Sequence, residues 1–82
     1  MDIAVELSLY PLDADYIPPI KDFIDRLNAD SRLRVVTNSM STQVSGEFSH
    51  VFETLSRELR ATFERERKAV FVMKVLGPLA PA

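Results

Sequence analysis

Residues 3–10 read Ile-Ala-Val-Glu-Leu-Ser-Leu-Tyr, an alternation in which every odd-numbered residue is aliphatic. A period of two is typical of a β-strand with one face in a core and the other face turned outward. Pro11 follows directly and ends the pattern. The stretch therefore predicts a half-buried strand whose odd-numbered side chains face the core.

A first helix is predicted after this strand. Asp15 is expected to be its N-cap, and Pro18 and Pro19 fit the first turn, where an amide proton has no partner inside the helix. Its apolar side chains recur every three or four residues and form one stripe: Ile17, Ile20, Ile24 and Leu27.

The rest of the chain predicts two strands, a helix and a last strand. The strands cover residues 33–38 and 41–47, with a turn at 38–40 between them. Ser49 is the expected N-cap of the second helix. The last strand covers residues 69–76, before Gly77-Pro78. The apolar stripe of the second helix is Phe52, Leu55, Leu59 and Phe63.

The predicted order is β-α-β-β-α-β, which is the ferredoxin-like α+β arrangement of a four-stranded antiparallel sheet with two helices on one face. We expect a single domain over residues 1–77 and a short flexible tail over residues 78–82. The 82 residues include no cysteine and one histidine, His50, which we expect to be solvated. This composition excludes a disulfide framework and a thiolate zinc site, so we expect neither a metal nor a cofactor.

The face of the sheet opposite the helices is predicted to be mixed in character. Apolar residues of the last strand would share it with Glu6, Gln43, Glu47 and Lys74. Such a face suits a self-associating sheet that encloses a small polar ligand. On the residues alone, the favoured interpretation is a plain dimer interface in which Glu6 and Lys74 form a structural ion pair.

Three stretches give the chain a specific resemblance: Ser8–Leu12, Met40–Gly46 and His50–Phe52. Together with residues 15–17 and 68–71, they resemble the YkoF-like thiamine/hydroxymethylpyrimidine-binding family over residues 3–77. The resemblance implies a ferredoxin-like domain that binds thiamine or its pyrimidine half without turnover, for vitamin uptake, salvage or sensing. The name-giving member carries two such repeats and this chain carries one. A site that needs two sheets would therefore be completed by a second chain, in a homodimer or homotetramer, and a vitamin transporter is a possible further partner.

The chemistry of such a ligand selects nine candidate residues, although each is also an ordinary strand or hairpin residue. A thiamine site needs a flat apolar slot, neutral hydrogen-bonding groups and a carboxylate for the thiazolium charge. Tyr10 and Met40 offer surfaces for a ring, and Glu6 or Glu47 offers the carboxylate, although Glu47 is also placed to favour the start of the second helix. The polar candidates are Ser8, Asn38, Ser41, Thr42 and Gln43.

Other function classes fit the sequence less well. The formal net charge of −2 opposes nucleic acid and anionic membranes, and no nucleophile, base or phosphate-binding glycine loop is evident, so we expect no catalysis. A basic signal segment and a long apolar run are lacking, which predicts a soluble cytoplasmic protein. Two alternatives remain: an ACT-like regulatory domain that binds an amino acid, and a purely structural oligomerisation module.

Overall fold

The computed structural model describes residues 1–66 and 68–80. Across these residues the elements are β1 (Asp2–Pro11), α1 (Ile17–Asn28), β2 (Arg34–Thr37), β3 (Thr42–Glu47), α2 (Phe48–Arg65) and β4 (Ala69–Leu76). The strands form one antiparallel sheet in the order β2-β3-β1-β4. The predicted ferredoxin-like fold is confirmed.

The core follows the alternation of β1. The odd-numbered aliphatic residues from Ile3 to Leu9 are all buried, and β3 adds Val44 beside them. Both helices close this side of the sheet, with Phe23 and Leu27 from α1 and Val51 and Leu55 from α2. In the described part of the chain neither helix is long and apolar enough to cross a membrane.

The helices begin differently from the sequence prediction, although the two prolines do lie in the first turn of α1. Tyr16, and not Asp15, occupies the N-cap position of α1, and it makes no side-chain cap bond. The Asp15 amide instead donates to Asp13 Oδ1 at 3.1 Å, within the preceding loop. The prediction of Asp15 as the cap is therefore wrong, because its local turn competes with capping.

The start of α2 also differs, because the helix begins at Phe48 and its N-cap is Glu47. Glu47 Oε2 accepts from the His50 amide at 2.9 Å, so the prediction of Ser49 as the cap is wrong. Hydrogen bonds from the backbone amides of His50 and Ser49 lower the pKa of the Glu47 carboxyl. Glutamate ranks below serine as a cap, but here its longer side chain reaches the amide three residues on.

The edge strand β4 is covered less than the sequence predicted. Register places Met73 beside Leu7 and Val75 beside Val5, on the predicted helix side, yet they are 39% and 50% exposed. The reason is that α1 packs on β1 and β2 while α2 packs on β3 and β1. On this strand Ala69 and Phe71 are partly buried, and the Phe71 ring centroid lies 5.0 Å from that of Phe23 and 5.5 Å from that of Phe63.

Two polar clusters connect α1, and the segment that follows it, to α2. Arg26 Nη1 lies 2.7 Å from Glu58 Oε1, and Arg26 Nη2 donates to Thr62 Oγ1 at 2.8 Å, which ties α1 to α2. Just beyond the end of α1, Asp30 Oδ2 lies 2.7 Å from Nε2 of His50 in the first turn of α2. His50 is thus half-buried against Asp30, and the expectation of a solvated histidine is wrong.

Candidate ligand-binding cleft

A cleft of about 460 Å³ opens at the end of the sheet where β1 passes the β2–β3 hairpin. The volume lies within the range of small-molecule sites. One wall is α1, the floor is the second half of β1, and the other wall is the hairpin segment 37–42. The cleft therefore lies mainly on the helix side of the sheet, whereas the sequence directed attention to the helix-free face.

Asn38, which follows β2, stabilises the hairpin turn that forms one wall of the cleft. Its Oδ1 accepts from the amides of Met40 at 2.8 Å and Ser41 at 3.0 Å, and its own amide donates to the Ser41 carbonyl at 3.0 Å. The side-chain carbonyl of Asn38 is therefore committed to the turn. Its Nδ2 has no hydrogen-bond partner within residues 1–66 and 68–80, which leaves that donor for a ligand.

Serine and glutamate side chains connect the hairpin to β1. Ser8 Oγ donates to the Met40 carbonyl at 3.3 Å, and Ser41 Oγ donates to Glu6 Oε2 at 3.2 Å. Glu6 Oε1 also lies 3.7 Å from Lys74 Nζ, so the sequence-predicted pair between Glu6 and Lys74 is present. Glu6 accordingly places a negative charge behind the polar rim of the cleft.

The remaining candidates divide between the cleft and the outer surfaces. Thr42 is buried on the helix side, and its Oγ1 lies 3.2 Å from Thr37 Oγ1. Gln43 lies opposite Glu6 on the helix-free face and does not line the cleft. Met40 stands at the tip of the turn and is 85% exposed, while the exposed Tyr10 borders the cleft from β1.

Glu47 lies apart from the other candidates. It is five residues along β3 from Thr42, or about 17 Å at the ordinary rise of a strand. Its carboxylate caps α2, as described above. The structure thus brings together Ser8, Tyr10 and the hairpin candidates, keeps Glu6 just behind them, and leaves Glu47 at the opposite end of the sheet.

The apolar wall is the part that sequence reasoning missed. Ile20, Phe23 and Ile24 of α1 line the cleft, together with Tyr16 just before the helix. In the sequence, Ile20 and Ile24 belong to an amphipathic stripe, which is indistinguishable from a stripe that only fills the core. The aromatic Tyr16 was the one available signal, since an exposed tyrosine at a helix start offers both a ring and a hydroxyl.

The lining of the cleft carries no formally charged side chain among the described residues. Apolar walls with a rim of hydroxyl, amide and backbone groups fit a flat, uncharged, polar ring better than a phosphate or a free amino acid. The described residues also hold no cluster of three or more side chains that could ligate a metal.

Comparison with known proteins identifies the family. The YKOF-related family model matches residues 2–75. Among solved structures, a Streptococcus pneumoniae protein is 21% identical, with a TM-score of 0.88 over 96% of this chain and 89% of that one. A Thermotoga maritima protein, described as a candidate thiamine biosynthesis/salvage protein, is 16% identical, with a TM-score of 0.83 over 92% of this chain and 82% of that one.

A Methanocaldococcus jannascii protein is 19% identical, with a TM-score of 0.83 over 99% of this chain and 84% of that one. At these identities the three structures establish the common fold alone. No curated protein sequence matches the chain. Because the family model spans nearly the whole chain, from the first residue of β1 to the end of β4, the protein belongs to the YKOF-related family.

Proposed function

We propose that the protein binds thiamine or its hydroxymethylpyrimidine half, without turnover, in the cleft between α1 and the β2–β3 hairpin. The observation that carries the proposal is an uncharged cleft with a polar rim, in a member of the YKOF-related family. The described thiamine role of the Thermotoga neighbour supports the same ligand class. The role would then be vitamin uptake, salvage or sensing in the cytoplasm.

The cleft favours the pyrimidine half as the inserted group. Hydroxymethylpyrimidine is flat and neutral, and it has both donors and acceptors for a rim made of Asn38 Nδ2, hydroxyl groups and main chain. The positive thiazolium of thiamine would lie outward, toward the Glu6 carboxylate behind the rim. The uncharged lining disfavours thiamine diphosphate, whose phosphates would need Arg or Lys.

The same lining disfavours the amino-acid alternative. A free amino acid carries a carboxylate and an ammonium group, and both are costly to desolvate without charged partners. The cleft offers its polar groups at the rim, while Ile20, Phe23 and Ile24 form its wall. A ligand of two opposite charges would therefore leave at least one of them without a partner.

A blocking substitution tests the location of the site. Ile24→Trp enlarges a half-buried side chain on the cleft wall, and we expect it to weaken hydroxymethylpyrimidine binding at least tenfold in calorimetry. Ile17→Trp is the matched control, because Ile17 is exposed on the same helix and does not line the cleft. Equal affinity of both variants and the native protein, with unchanged urea-unfolding midpoints, would contradict the proposed site.

We also propose that the protein forms a homo-oligomer through the β4 edge. β4 is eight residues long and, among residues 1–66 and 68–80, has no strand paired to its outer side. It exposes Val70, Val72, Met73, Val75 and Leu76. Long, apolar edge strands of this kind pair readily with another strand. Antiparallel pairing of two β4 edges would join the sheets of two copies and cover these side chains.

A further inference from the structure

The main chain of β1 has an unusual stretch at the floor of the cleft. Pairing between β1 and β3 stops at Leu7 opposite Thr42, while β1 continues to Pro11 against β4 alone. In the described part of the chain, residues 8–11 therefore have a strand neighbour on one side only. Their other side faces the hairpin turn and the cleft.

The direction of each backbone group follows from the hydrogen bonds at the ends of β1. The Phe48 amide donates to the Met1 carbonyl at 2.9 Å, so odd-numbered residues of β1 face β3. The Leu12 amide donates to the Lys68 carbonyl at 3.2 Å, so even-numbered residues face β4. Because hydrogen-bonded pairs alternate along antiparallel strands, the Leu9 N–H and C=O point away from β4 and toward the position of Met40.

Met40 does not complete the pair. Its amide donates to Asn38 Oδ1, and its carbonyl accepts from Ser8 Oγ. Within residues 1–66 and 68–80 the Leu9 N–H and C=O consequently have no hydrogen-bond partner. Leu9 is only 8% exposed and lines the cleft. Unpaired backbone groups in such sheltered places are rare, and a donor and an acceptor side by side form a recognition element.

We propose that the Leu9 main chain binds the amino-pyrimidine edge of the ligand, making the two bonds that an antiparallel partner residue would make. The ring nitrogen next to the exocyclic amine accepts from Leu9 N–H, and the amine donates to Leu9 C=O. Ile20 and Phe23 then lie along the cleft wall beside the ring. This inference rests on the proposed function and identifies the amino-pyrimidine edge as the part of the ligand that the site recognises.

The open stretch is too short to favour a peptide strand. Leu9 provides one outward donor and acceptor pair, and the next outward residue is Pro11, which has no N–H. A planar ring needs only the Leu9 pair. The thiazole half of thiamine lacks the adjacent N–H donor, so the inference predicts that the cleft discriminates between the two halves of the vitamin.

The experiment is an NMR titration of uniformly ¹⁵N-labelled protein with ¹⁵N-labelled hydroxymethylpyrimidine. We expect a large downfield shift of the Leu9 amide proton and a scalar coupling between the Leu9 nitrogen and a ring nitrogen. The Leu7 amide is the internal control, because Leu7 is already paired with Thr42. The analogue in which hydrogen replaces the amino group should bind roughly tenfold more weakly, as expected for one lost hydrogen bond and its unpaired partner.

The outcomes separate this inference from the proposed function. If hydroxymethylpyrimidine binds while the Leu9 amide stays unshifted, or if the analogue binds equally well, the role of Leu9 is refuted and the function stands. If hydroxymethylpyrimidine does not bind but cytosine, which has the same edge, produces the Leu9 shift, the function is refuted and the recognition element stands. If none of these compounds binds and none moves the Leu9 amide, both are refuted.

Discussion

Replacing Asn38 by alanine tests whether the hairpin wall of the cleft is held by one side chain. Asn38 Oδ1 accepts from two backbone amides, and no described residue, Asn38 included, has a positive φ. Alanine therefore fits the backbone at this position, and the substitution removes mainly the two hydrogen bonds. Each such bond contributes about 0.5–1.5 kcal/mol, and water will replace part of it at this exposed turn.

The expected loss is therefore about 1 kcal/mol in the free energy of unfolding, close to the loss of a helix cap. With a urea m-value of about 1 kcal/mol/M for a small domain, the unfolding midpoint should fall by about 1 M. A disordered turn must also be ordered when ligand binds, so hydroxymethylpyrimidine affinity should fall about fivefold. Asn38→Asp retains the acceptor oxygen and should restore most of the stability.

Urea unfolding followed by circular dichroism, and calorimetry at one temperature, measure both quantities. Asn28→Ala is the matched control, because Asn28 makes one exposed bond, to the Ile24 carbonyl at the end of α1. If Asn38→Ala unfolded at the native midpoint, or lost no more than Asn28→Ala, the turn would not depend on Asn38. The account of the cleft wall would then be refuted.

Three further changes test the surrounding structure. Hydrogen bonds from the backbone amide of Arg32 and then from the side chain of His50 hold the pKa of Asp30 below its ordinary 3.8. Asp30→Asn should therefore lower the free energy of unfolding at neutral pH, and the difference from the native protein should shrink as pH falls below 3.8. A pH-independent difference in urea titrations would refute this. Glu58→Gln weakens the half-buried ion pair with Arg26 of α1 and should lower the free energy of unfolding by about 1–2 kcal/mol. An unchanged free energy of unfolding would show that the pair is not stabilising. Met73→Pro removes an N–H that points outward from the β4 edge and should convert the oligomer to monomer in sedimentation, while Met73→Ala should keep the oligomer; equal masses would exclude edge pairing.

The sequence predicted the fold because each element has its own period. The alternation at residues 3–10 appears in the structure as alternating burial along β1. A strand has only two faces, so a one-residue slip would expose its aliphatic side chains. The ends of the helices were less predictable. Ser49 is the better cap by residue type, but Glu47 takes the role because its side chain reaches the His50 amide.

The periodicity of the sequence did not predict which strands the two helices cover. The pattern correctly places Met73 and Val75 on the helix side, but it does not say which strands the helices lie across. That choice depends on how both helices pack against the whole sheet, which is a tertiary property. The exposed apolar edge of β4 is therefore a finding of the structure.

The sequence pointed to the β1 and hairpin sides of the candidate site, including Tyr10 and Met40, but not to the wall formed by α1. Hydroxyl and amide residues of the hairpin were singled out by type, and the structure gathers Asn38, Ser41 and Thr42 at one wall. Glu47 matched by type but lies at the far end of β3. The sequence does not predict the unpaired main chain of Leu9, because it results from β1 extending beyond the end of its pairing with β3.

The most direct test of the account is calorimetric titration of the native protein with hydroxymethylpyrimidine, thiamine, the thiazole alcohol and a panel of amino acids. The account predicts that hydroxymethylpyrimidine and thiamine bind at no more than one ligand per chain, and that the thiazole alcohol and the amino acids give no heat. Binding of an amino acid alone would contradict it and would place the protein among regulatory domains.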